Sequence, residues 1–154
     1  LKQRKRVARI HAKIADARTD ALHKVTTMLA DENQVLCMED LNAKGMVRNH
    51  HLAKAVSDAS FGEFARLLEY KCAERGRTLV KVDRFYPSSK TCSGCGHRLD
   101  ALPLSVRSWD CPSCGVHHDR DVNAAKNILA EGKRIFSNTE GTAGHAGTVA
   151  ATVA

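Results

Sequence analysis

Four of the six cysteines have a spacing that suits a metal ion. Cys92 and Cys95 are separated by two residues, and the same spacing recurs in Cys111 and Cys114. Two such turns supply the four sulfur ligands that zinc prefers in structural sites. The alternative is a pair of disulfides, which is typical of secreted domains. Because the segment LKQRKRVARI carries no apolar run of the secretory type, we predict one Zn²⁺ bound by the four cysteines.

Two acidic residues stand where they could bind a second kind of metal ion. Glu39 ends a short apolar run, and Asp121 falls at the start of the last predicted helix. Cleavage of a phosphodiester by two divalent ions needs carboxylates from different elements, because Mg²⁺ prefers oxygen ligands. However, an acid at a helix start often serves only to interact favourably with the helix dipole. An acid after a strand is often simply exposed to solvent. The spacing alone leaves both interpretations open.

Composition places the chain among globular proteins. It has 154 residues, a net charge of +7, 43% hydrophobic residues and 27% charged residues. These values exclude a wholly disordered or collagen-like protein, and no apolar run is long enough to span a membrane. We therefore expect a soluble, intracellular protein. The first residue, Leu1, already lies in a helical pattern, so we expect the chain to be part of a longer protein.

The positive charge is concentrated near the N-terminus. Residues 1–24 contain eight Lys and Arg residues and two Asp residues, which gives +6 for this segment. Such a basic face is typical of a protein that binds a polyanion, although a solvated helix face has the same composition. The segment 42–54 is also basic and contains no acid. The predicted nucleic-acid-binding residues are Arg4, Lys5, Arg6, Arg9, Lys13, Lys44, Arg48 and Lys54.

Hydrophobic periodicity predicts the elements that position these residues. A helix between two strands favours a crossover with parallel strands, and Ser60 and Glu63 have the spacing of a capping box. The final stretch is rich in small residues, which predicts disorder. The predicted elements are a helix at 4–31, a strand at 34–41, a mobile basic loop at 42–54, a helix from 60 to about 76, a strand at 78–85, a zinc segment at 87–118 with one hairpin arm at 106–109, a helix at 119–136 and a disordered tail at 137–154.

Several other side chains have a structural interpretation. We predict that Trp109 packs beneath the zinc hairpin rather than stacking on a base, and that Phe85 and Tyr86 pack where the strand meets the zinc segment. Lys71 is consistent with a solvent-facing helix position. The remaining cysteines, Cys37 and Cys72, fall in strand and helix patterns and are predicted to be buried free thiols. With four cysteines available, the histidines near them are not needed as ligands.

Five motifs of this sequence resemble a known family. They are MEDLNAKGM, SFGEFARLLEYK, RFYPSSKTCSGCG, WDCPSCG and HDRDVNAAKNIL. In this order they resemble the C-terminal half of the TnpB (OrfB) proteins of bacterial insertion sequences, which are related to type V CRISPR effector nucleases. The resemblance implies a RuvC-like nuclease domain of the RNase H fold with an inserted zinc ribbon. It also implies an RNA-guided DNA endonuclease that uses three acids and Mg²⁺.

The same resemblance assigns roles to individual residues. Glu39 matches the second acid of the family and Asp121 the third, whereas Asp40 and Asp119 become neighbours of the metal ligands. The four zinc cysteines match as well. The family's first acid, in a G-x-D-x-G context before the long basic helix, has no counterpart in this sequence. The first three strands and the N-terminal domains of the family are also not matched, so we expect an exposed strand edge and no DNA cleavage by this chain alone.

These expectations define the predicted architecture, an α/β fold with an incomplete RuvC-like domain and an inserted zinc ribbon. The predicted divisions are 1–86 for the partial RuvC-like domain, 87–118 for the ribbon, 119–136 for the final helix and 137–154 for the tail. DNA is the expected partner, with guide RNA in the complete protein, no membrane, and a location in the cytoplasm at the nucleoid. The alternative is a non-catalytic zinc-ribbon regulator that binds nucleic acid, or a decayed transposase remnant.

Overall fold

The structure is a computed structural model that describes residues 2–51, 53–139 and 149–152. This part of the chain has a mixed α/β fold. The elements in chain order are α1 (Lys2–Glu32), β1 (Val35–Glu39), α2 (Ala43–Val47), α3 (Ala53–Ala59), α4 (Phe61–Glu74), β2 (Thr78–Val82), β3 (Ser108–Asp110), β4 (His117–Asp119), α5 (Arg120–Thr139) and β5 (Val149–Thr152).

The strand β1 is the centre of a parallel three-stranded sheet of order β2-β1-β5. Glu39 at the end of β1 is the register partner of Val82 at the end of β2. This parallel pairing across the crossover helix α4 confirms the arrangement predicted from the sequence. Because both strands end at the same edge, whatever follows them is brought together at that edge.

Side chains of β1 alternate between two hydrophobic layers. Leu36 and Met38 are buried in a cluster with Ala30 of α1 and Leu68 of α4. On the other face of the sheet, Val35 and Cys37 are buried with Val82 and with Ile128 of α5. The sheet is therefore enclosed between α1 and α4 on one side and α5 on the other.

A glycine allows α5 to lie close to the sheet. An added Cβ at Gly132 would overlap the Sγ and Cβ atoms of Cys37. Any larger residue would have to displace the helix from the sheet, since the interior is closely packed. Gly132 thus allows α5 to pack directly over the middle of β1.

The long helix α1 is buried against the rest of the fold near its C-terminal end, and Arg18 in its middle pairs with Asp58 of α3. Thr26 and Ala30 are its buried residues, whereas Val7, Ile10 and Ile14 are each about half exposed. Lys71 of α4 contributes to this attachment, since its Nζ donates hydrogen bonds to His23 O (2.5 Å), Thr26 Oγ1 (2.9 Å) and Thr27 Oγ1 (2.6 Å). The prediction that Lys71 faces solvent was therefore wrong: its side chain is 4% exposed, and burial lowers its pKa.

The segment 42–54, predicted as a loop, contains helical structure. It includes all of α2 and the first two residues of α3. The side chain of Asn42 caps α2 by accepting a hydrogen bond from the Gly45 N–H at 2.9 Å, which favours a helix over a loop. The basic side chains of this segment are therefore carried largely on short helices.

The predicted capping box at the start of α4 does not form. Ser60 has a left-handed backbone (φ 55°) and makes no side-chain cap to α4, because it lies directly after α3 and its hydroxyl donates to Ser57 O at 3.2 Å. Glu63 instead pairs with Arg66. The short connection between two helices overrides the local sequence signal.

The C-terminal stretch also differs from the expectation of a disordered tail. The helix α5 extends to Thr139, and Val149–Thr152 form β5, which pairs with β1 in parallel. Residues 140–148 and 153–154 lie outside the described part. The strand edge of β1 that we expected to be exposed is thus covered by β5, which satisfies backbone groups that an open edge would leave unpaired.

Candidate functional site

The four cysteines are presented by two similar backbone turns. In the first, Cys92 N–H donates to His97 O, and Gly96 N–H donates to Cys92 O, both at 2.8 Å. The second turn repeats this pattern around Cys111, ending in Gly115. Gly96 and Gly115 have φ values of 79° and 74°, a left-handed conformation that glycine adopts without strain. The repeated turn explains why both cysteine pairs point toward one centre.

The four sulfur atoms have the spacing of a metal-binding site. All lie within 4.8 Å of one another. The Sγ atoms of Cys92 and Cys114 are 3.6 Å apart, as are those of Cys95 and Cys111. Four sulfurs at about 2.3 Å from a tetrahedral zinc ion would be about 3.8 Å apart, so these distances fit. The cluster could therefore hold a metal such as zinc.

The pKa values of two of these thiols are shifted by their surroundings. Burial opposes ionisation of Cys111, but hydrogen bonds from the backbone N–H groups of Cys114 and Ser113 lower its pKa to about 6. The backbone N–H of Val116 favours the thiolate of Cys114, yet hydrogen bonds among the crowded sulfur atoms raise its pKa to about 12. A divalent ion bound by the sulfur atoms would displace the thiol protons, because thiolates are the ligand form of cysteine.

Trp109 and His118 pack against the cysteine cluster. Trp109 is 8% exposed and packs with Cys92 and Cys111, which confirms that it lies beneath the hairpin formed by β3 and β4. The ring of His118 packs on Trp109 with centroids 4.7 Å apart, and its Nε2 lies 3.0 Å from Cys92 Sγ. His118 is thus placed as a hydrogen-bond partner of a sulfur ligand, the kind of outer contact that orients metal ligands.

Two buried asparagines join the zinc segment to α5. The side-chain amide of Asn123 donates to Thr91 O at 2.8 Å, and that of Asn127 donates to Ser88 O and Thr91 O at 2.8 and 2.6 Å. Asn123 Oδ1 also accepts from the Ser93 N–H. Sequence reasoning missed this role. The available signal was a pair of amides four residues apart on the apolar face of a helix, where an unpaired polar group would be costly.

Glu39 lies at the carboxyl edge of the sheet and faces α5. It follows Cys37 by two residues, so its side chain is on the same face of the sheet as Cys37. Glu39 is half-buried, and this burial raises the pKa of its carboxyl group. Within the described part of the chain, its carboxylate makes no hydrogen bond or ion pair. A half-buried carboxylate without a partner is a favourable ligand for a cation.

Asp121 lies in the first turn of α5, on the side that faces the sheet. It precedes Ile128 by seven residues and Gly132 by eleven. Around the helix axis, both residues are therefore rotated from Asp121 by only about 20°, so all three lie on one face of the helix. Ile128 and Gly132 contact the sheet. The amino end of α5 is held near Ser88 and Thr91, beyond the end of β2. Glu39 and Asp121 are therefore on the same side of the sheet.

The neighbouring acids are already engaged. Asp40 Oδ2 accepts from Arg84 Nη2 at 2.8 Å. Asp119 caps α5, since its Oδ1 accepts from the N–H groups of Asp121 (3.0 Å) and Val122 (2.9 Å). The carboxylate of Asp121 is exposed and, like that of Glu39, has no partner among the described residues. This difference separates the two predicted ligands from the two predicted neighbours.

The described residues contain no preassembled group of three carboxylates. Among them, the four cysteines form the sole cluster of three or more His, Cys, Asp or Glu side chains close enough to share a metal ion. Glu39 and Asp121 are therefore not part of a complete carboxylate site within the described residues.

The predicted nucleic-acid-binding residues are all exposed, and none makes an ion pair with another described residue. Five of them follow one another along the projecting part of α1, and the other three lie in or beside α2 and α3. They are Arg4, Lys5, Arg6, Arg9, Lys13, Lys44, Arg48 and Lys54. Their positive charges are therefore available to an external polyanion.

The two aromatic residues between β2 and the zinc segment have different environments. Tyr86 packs against the cluster that contains Val80 and Val82, as predicted. The prediction for Phe85 was wrong, since its side chain is 84% exposed. The turn that packs Tyr86 against this cluster directs its neighbour outward, which the sequence does not specify.

Comparisons with known proteins are consistent across both halves of the chain. Residues 61–128 match the family model "Cas12f1-like, TNB domain", and residues 1–50 match the family model OrfB_IS605, described as "Probable transposase". Across residues 2–51, 53–139 and 149–152, no helix combines the length and hydropathy that a membrane-spanning segment needs.

Named relatives and a solved structure agree with these models. The chain is 54% identical over 131 residues to a "Putative RNA-guided DNA endonuclease" of Streptomyces pristinaespiralis, covering 85% of this chain and 32% of the relative. It is 32% identical over 151 residues to the "Putative RNA-guided DNA endonuclease InsQ" of Escherichia coli K12, covering 88% of this chain and 37% of InsQ. The chain thus spans about a third of the length of these relatives.

The structural likeness is to a chain of the Cas12f1–sgRNA–target DNA complex. The TM-score is 0.62 at 22% identity, and the match covers 79% of this chain and 36% of the other. At this identity the likeness shows the fold alone. The two family models and the named relatives lead to one assignment: the chain belongs to the TnpB (OrfB) family of insertion-sequence transposon proteins.

Proposed function

We propose that this chain contributes Glu39, Asp121 and a zinc ribbon to the RuvC-like nuclease centre of an RNA-guided DNA endonuclease. The observation that carries the proposal is the state of four acids at one edge of the fold. Asp40 and Asp119 are engaged by Arg84 and by the backbone of α5, whereas the carboxylates of Glu39 and Asp121 have no partner among the described residues. Glu39 and Asp121 are therefore the two acids of this set that are free to bind a cation.

The proposed architecture is an incomplete RNase H fold. Residues 1–86 form the partial RuvC-like domain, 87–118 the ribbon, and the final helix, proposed at 119–136, corresponds to α5. Support comes from the central position of β1, from the packing of α5 over it, and from the fold likeness to Cas12f1. In this architecture the zinc ion is structural, and DNA and a guide RNA are the partners of the complete protein.

Glu39 and Asp121 would hold Mg²⁺ in the complete protein. Bound Mg²⁺ would supply an activated water and stabilise the charge that develops on the phosphate. The protein side chains orient the ions and exclude competing ligands, and the ribbon, fixed to α5 by Asn123 and Asn127, keeps the first turn of that helix in place. The amides thus act as positioning residues for Asp121.

We expect no Mg²⁺-dependent cleavage of DNA by this chain alone. Two carboxylates bind Mg²⁺ weakly, and the described residues offer no third acid beside them. Incubation with supercoiled plasmid and with single-stranded DNA checks this expectation. Cutting that disappears in Asp121→Ala would show that the two acids suffice. The absence of a third acid also keeps a second function open, that of a zinc-ribbon regulator that binds nucleic acid without cleaving it.

Binding of Mn²⁺ tests the site without requiring activity. Mn²⁺ shares the oxygen preference of Mg²⁺, and it broadens NMR signals of nearby nuclei. We expect broadening of amides around Glu39 and Asp121, with loss of the effect in Glu39→Gln and in Asp121→Asn. Because burial raises the pKa of Glu39, protons should compete with Mn²⁺ at a higher pH than for an ordinary glutamate.

Matched controls come from the engaged acids. Asp40→Asn and Asp119→Asn change the same charge one or two residues away, and each asparagine retains an oxygen that can accept the existing hydrogen bonds. Both variants should keep the broadening. Broadening that survives in Glu39→Gln but vanishes in Asp40→Asn would refute the assignment of ligands.

A further inference from the structure

Phe85 is the most exposed large apolar side chain in the described part of the chain. Its ring is 84% exposed, compared with 53% for Tyr70, the other exposed aromatic residue. Single exposed apolar residues are common and need no special explanation. Phe85 differs because its backbone is held in a defined turn and because the turn is beside the proposed acidic site.

Hydrogen bonds on both sides hold the Phe85 turn. The Phe85 N–H donates to Asp83 Oδ1 at 2.7 Å, and the Tyr86 N–H donates to Asp83 O at 2.9 Å. Tyr86 then packs into the cluster between the sheet and α5, which anchors the turn in the core. The ring of Phe85 is therefore presented to solvent by an ordered backbone, so little conformational entropy would be lost when a flat ligand packs on it.

The turn is adjacent to Glu39. Val82 is the register partner of Glu39, and Phe85 follows Val82 by three residues. With adjacent strands about 5 Å apart and at most about 3.8 Å per residue, the Cα atoms of Phe85 and Glu39 are within about 16 Å. The ion pair between Arg84 and Asp40 ties the turn to the end of β1.

The other aromatic side chains are less suitable for a nucleic acid. Trp109 is buried under the cysteine cluster. Tyr70 is exposed on α4, but its hydroxyl donates a hydrogen bond to Glu74 Oε1 at 3.3 Å, so this side chain is already engaged by a carboxylate. Phe85 instead follows Arg84, whose guanidinium is at the edge where Glu39 lies.

We propose that Phe85 is a stacking platform for an unpaired nucleobase of a single strand that passes the Glu39 edge. The proposal rests on the proposed function, since it assumes that a nucleic acid reaches this edge. An aromatic ring offers a surface that any base can stack on, so the contact would position the strand without reading its sequence. The basic side chains of α1 would bind phosphates, whereas Phe85 would bind the base.

The test compares two probes with the same phosphates, a short oligothymidylate and an abasic oligonucleotide of equal length. Binding is followed by fluorescence anisotropy at low salt. We expect the unaltered protein to bind the oligothymidylate at least about fivefold more tightly than the abasic strand. This factor corresponds to the lower end of the affinity gain expected from one base–aromatic stacking contact. Phe85→Ala should bind both probes equally, and Phe85→Trp should restore the preference.

Tyr70→Ala is the matched control, because it removes an exposed aromatic ring outside the proposed path. It should keep the preference for bases, and the dependence of binding on salt should be unchanged in Phe85→Ala. Equal binding of both probes by the unaltered protein, or a preference that persists in Phe85→Ala, would overturn the stacking role alone. If neither probe binds at low salt, the proposed nucleic-acid function fails as well.

Discussion

Replacing Cys95 with serine is expected to release the metal ion and unfold the ribbon. Four thiolates bind zinc in a structural site, and the apparent binding free energy in such small modules is about 10–16 kcal/mol, which the ribbon cannot recover from its own core. That core consists of Cys92, Trp109 and Cys111 with three partly buried residues, so two of its three buried members are candidate zinc ligands. Metal analysis should show about one zinc per chain before the substitution and a large loss after it.

The unfolding should remain local. The cluster around Leu36 and Leu68 contains no ribbon residue, so α1, β1 and α4 should keep their protection from hydrogen exchange. Protection should be lost in the hairpin of β3 and β4 and reduced at Ser93, whose N–H donates to Asn123. Ser113→Ala is a suitable control, since Ser113 is an exposed residue between two of the cysteines. A metal-free Cys95→Ser protein with an intact hairpin would refute a structural role for zinc.

Substituting glutamine for Arg4, Lys5, Arg6 and Arg9 together is expected to abolish most nucleic-acid binding. Each phosphate contact releases counterions, and the slope of log affinity against log salt changes by about 0.7 per contact for a single strand. Loss of four contacts should therefore reduce the slope by about 3 and lower the affinity by a factor of about 100 or more at low salt. Titration of a single-stranded oligonucleotide at several salt concentrations measures both quantities.

The control for this variant uses arginines that are already paired. Arg66 and Arg134 form ion pairs with Glu63 and Glu131, so Arg66→Gln combined with Arg134→Gln should change the slope little. Glutamine is a good helix former, so α1 should keep its circular dichroism. A flat salt dependence of the unaltered protein, or equal affinity of the quadruple variant, would contradict the role of the basic helix.

Local patterns in the sequence were sufficient for much of the architecture. The apolar repeat of three and four predicted α1, and the strand–helix–strand order predicted the parallel pairing of β1 and β2. The cysteine spacing predicted a single cluster of four sulfurs. Each prediction began from a local signal, namely the helical period, the order of the elements or the two-residue spacing inside each cysteine pair, where periodicity and turn geometry limit the choices.

Local signals failed where another element competed. The capping signal of Ser60 was overridden by the end of α3, and the basic segment after Asn42 became helical because that side chain caps α2. The last residues are rich in small side chains, and this composition predicted disorder. Their pairing as β5 depends on the open edge of β1, which is more than one hundred residues earlier in the chain.

By itself the sequence determined which residue types are present for chemistry: four cysteines for one ion, Glu39 and Asp121 as candidate acids, and a basic helix. Only the tertiary structure decided which of the acids are engaged, since Asp40 meets Arg84 from a different segment of the chain. It also decided that Phe85 is exposed whereas its neighbour Tyr86 packs against the core. Burial and pairing arise from contacts between residues far apart in sequence, and no local pattern encodes which partner each side chain will meet.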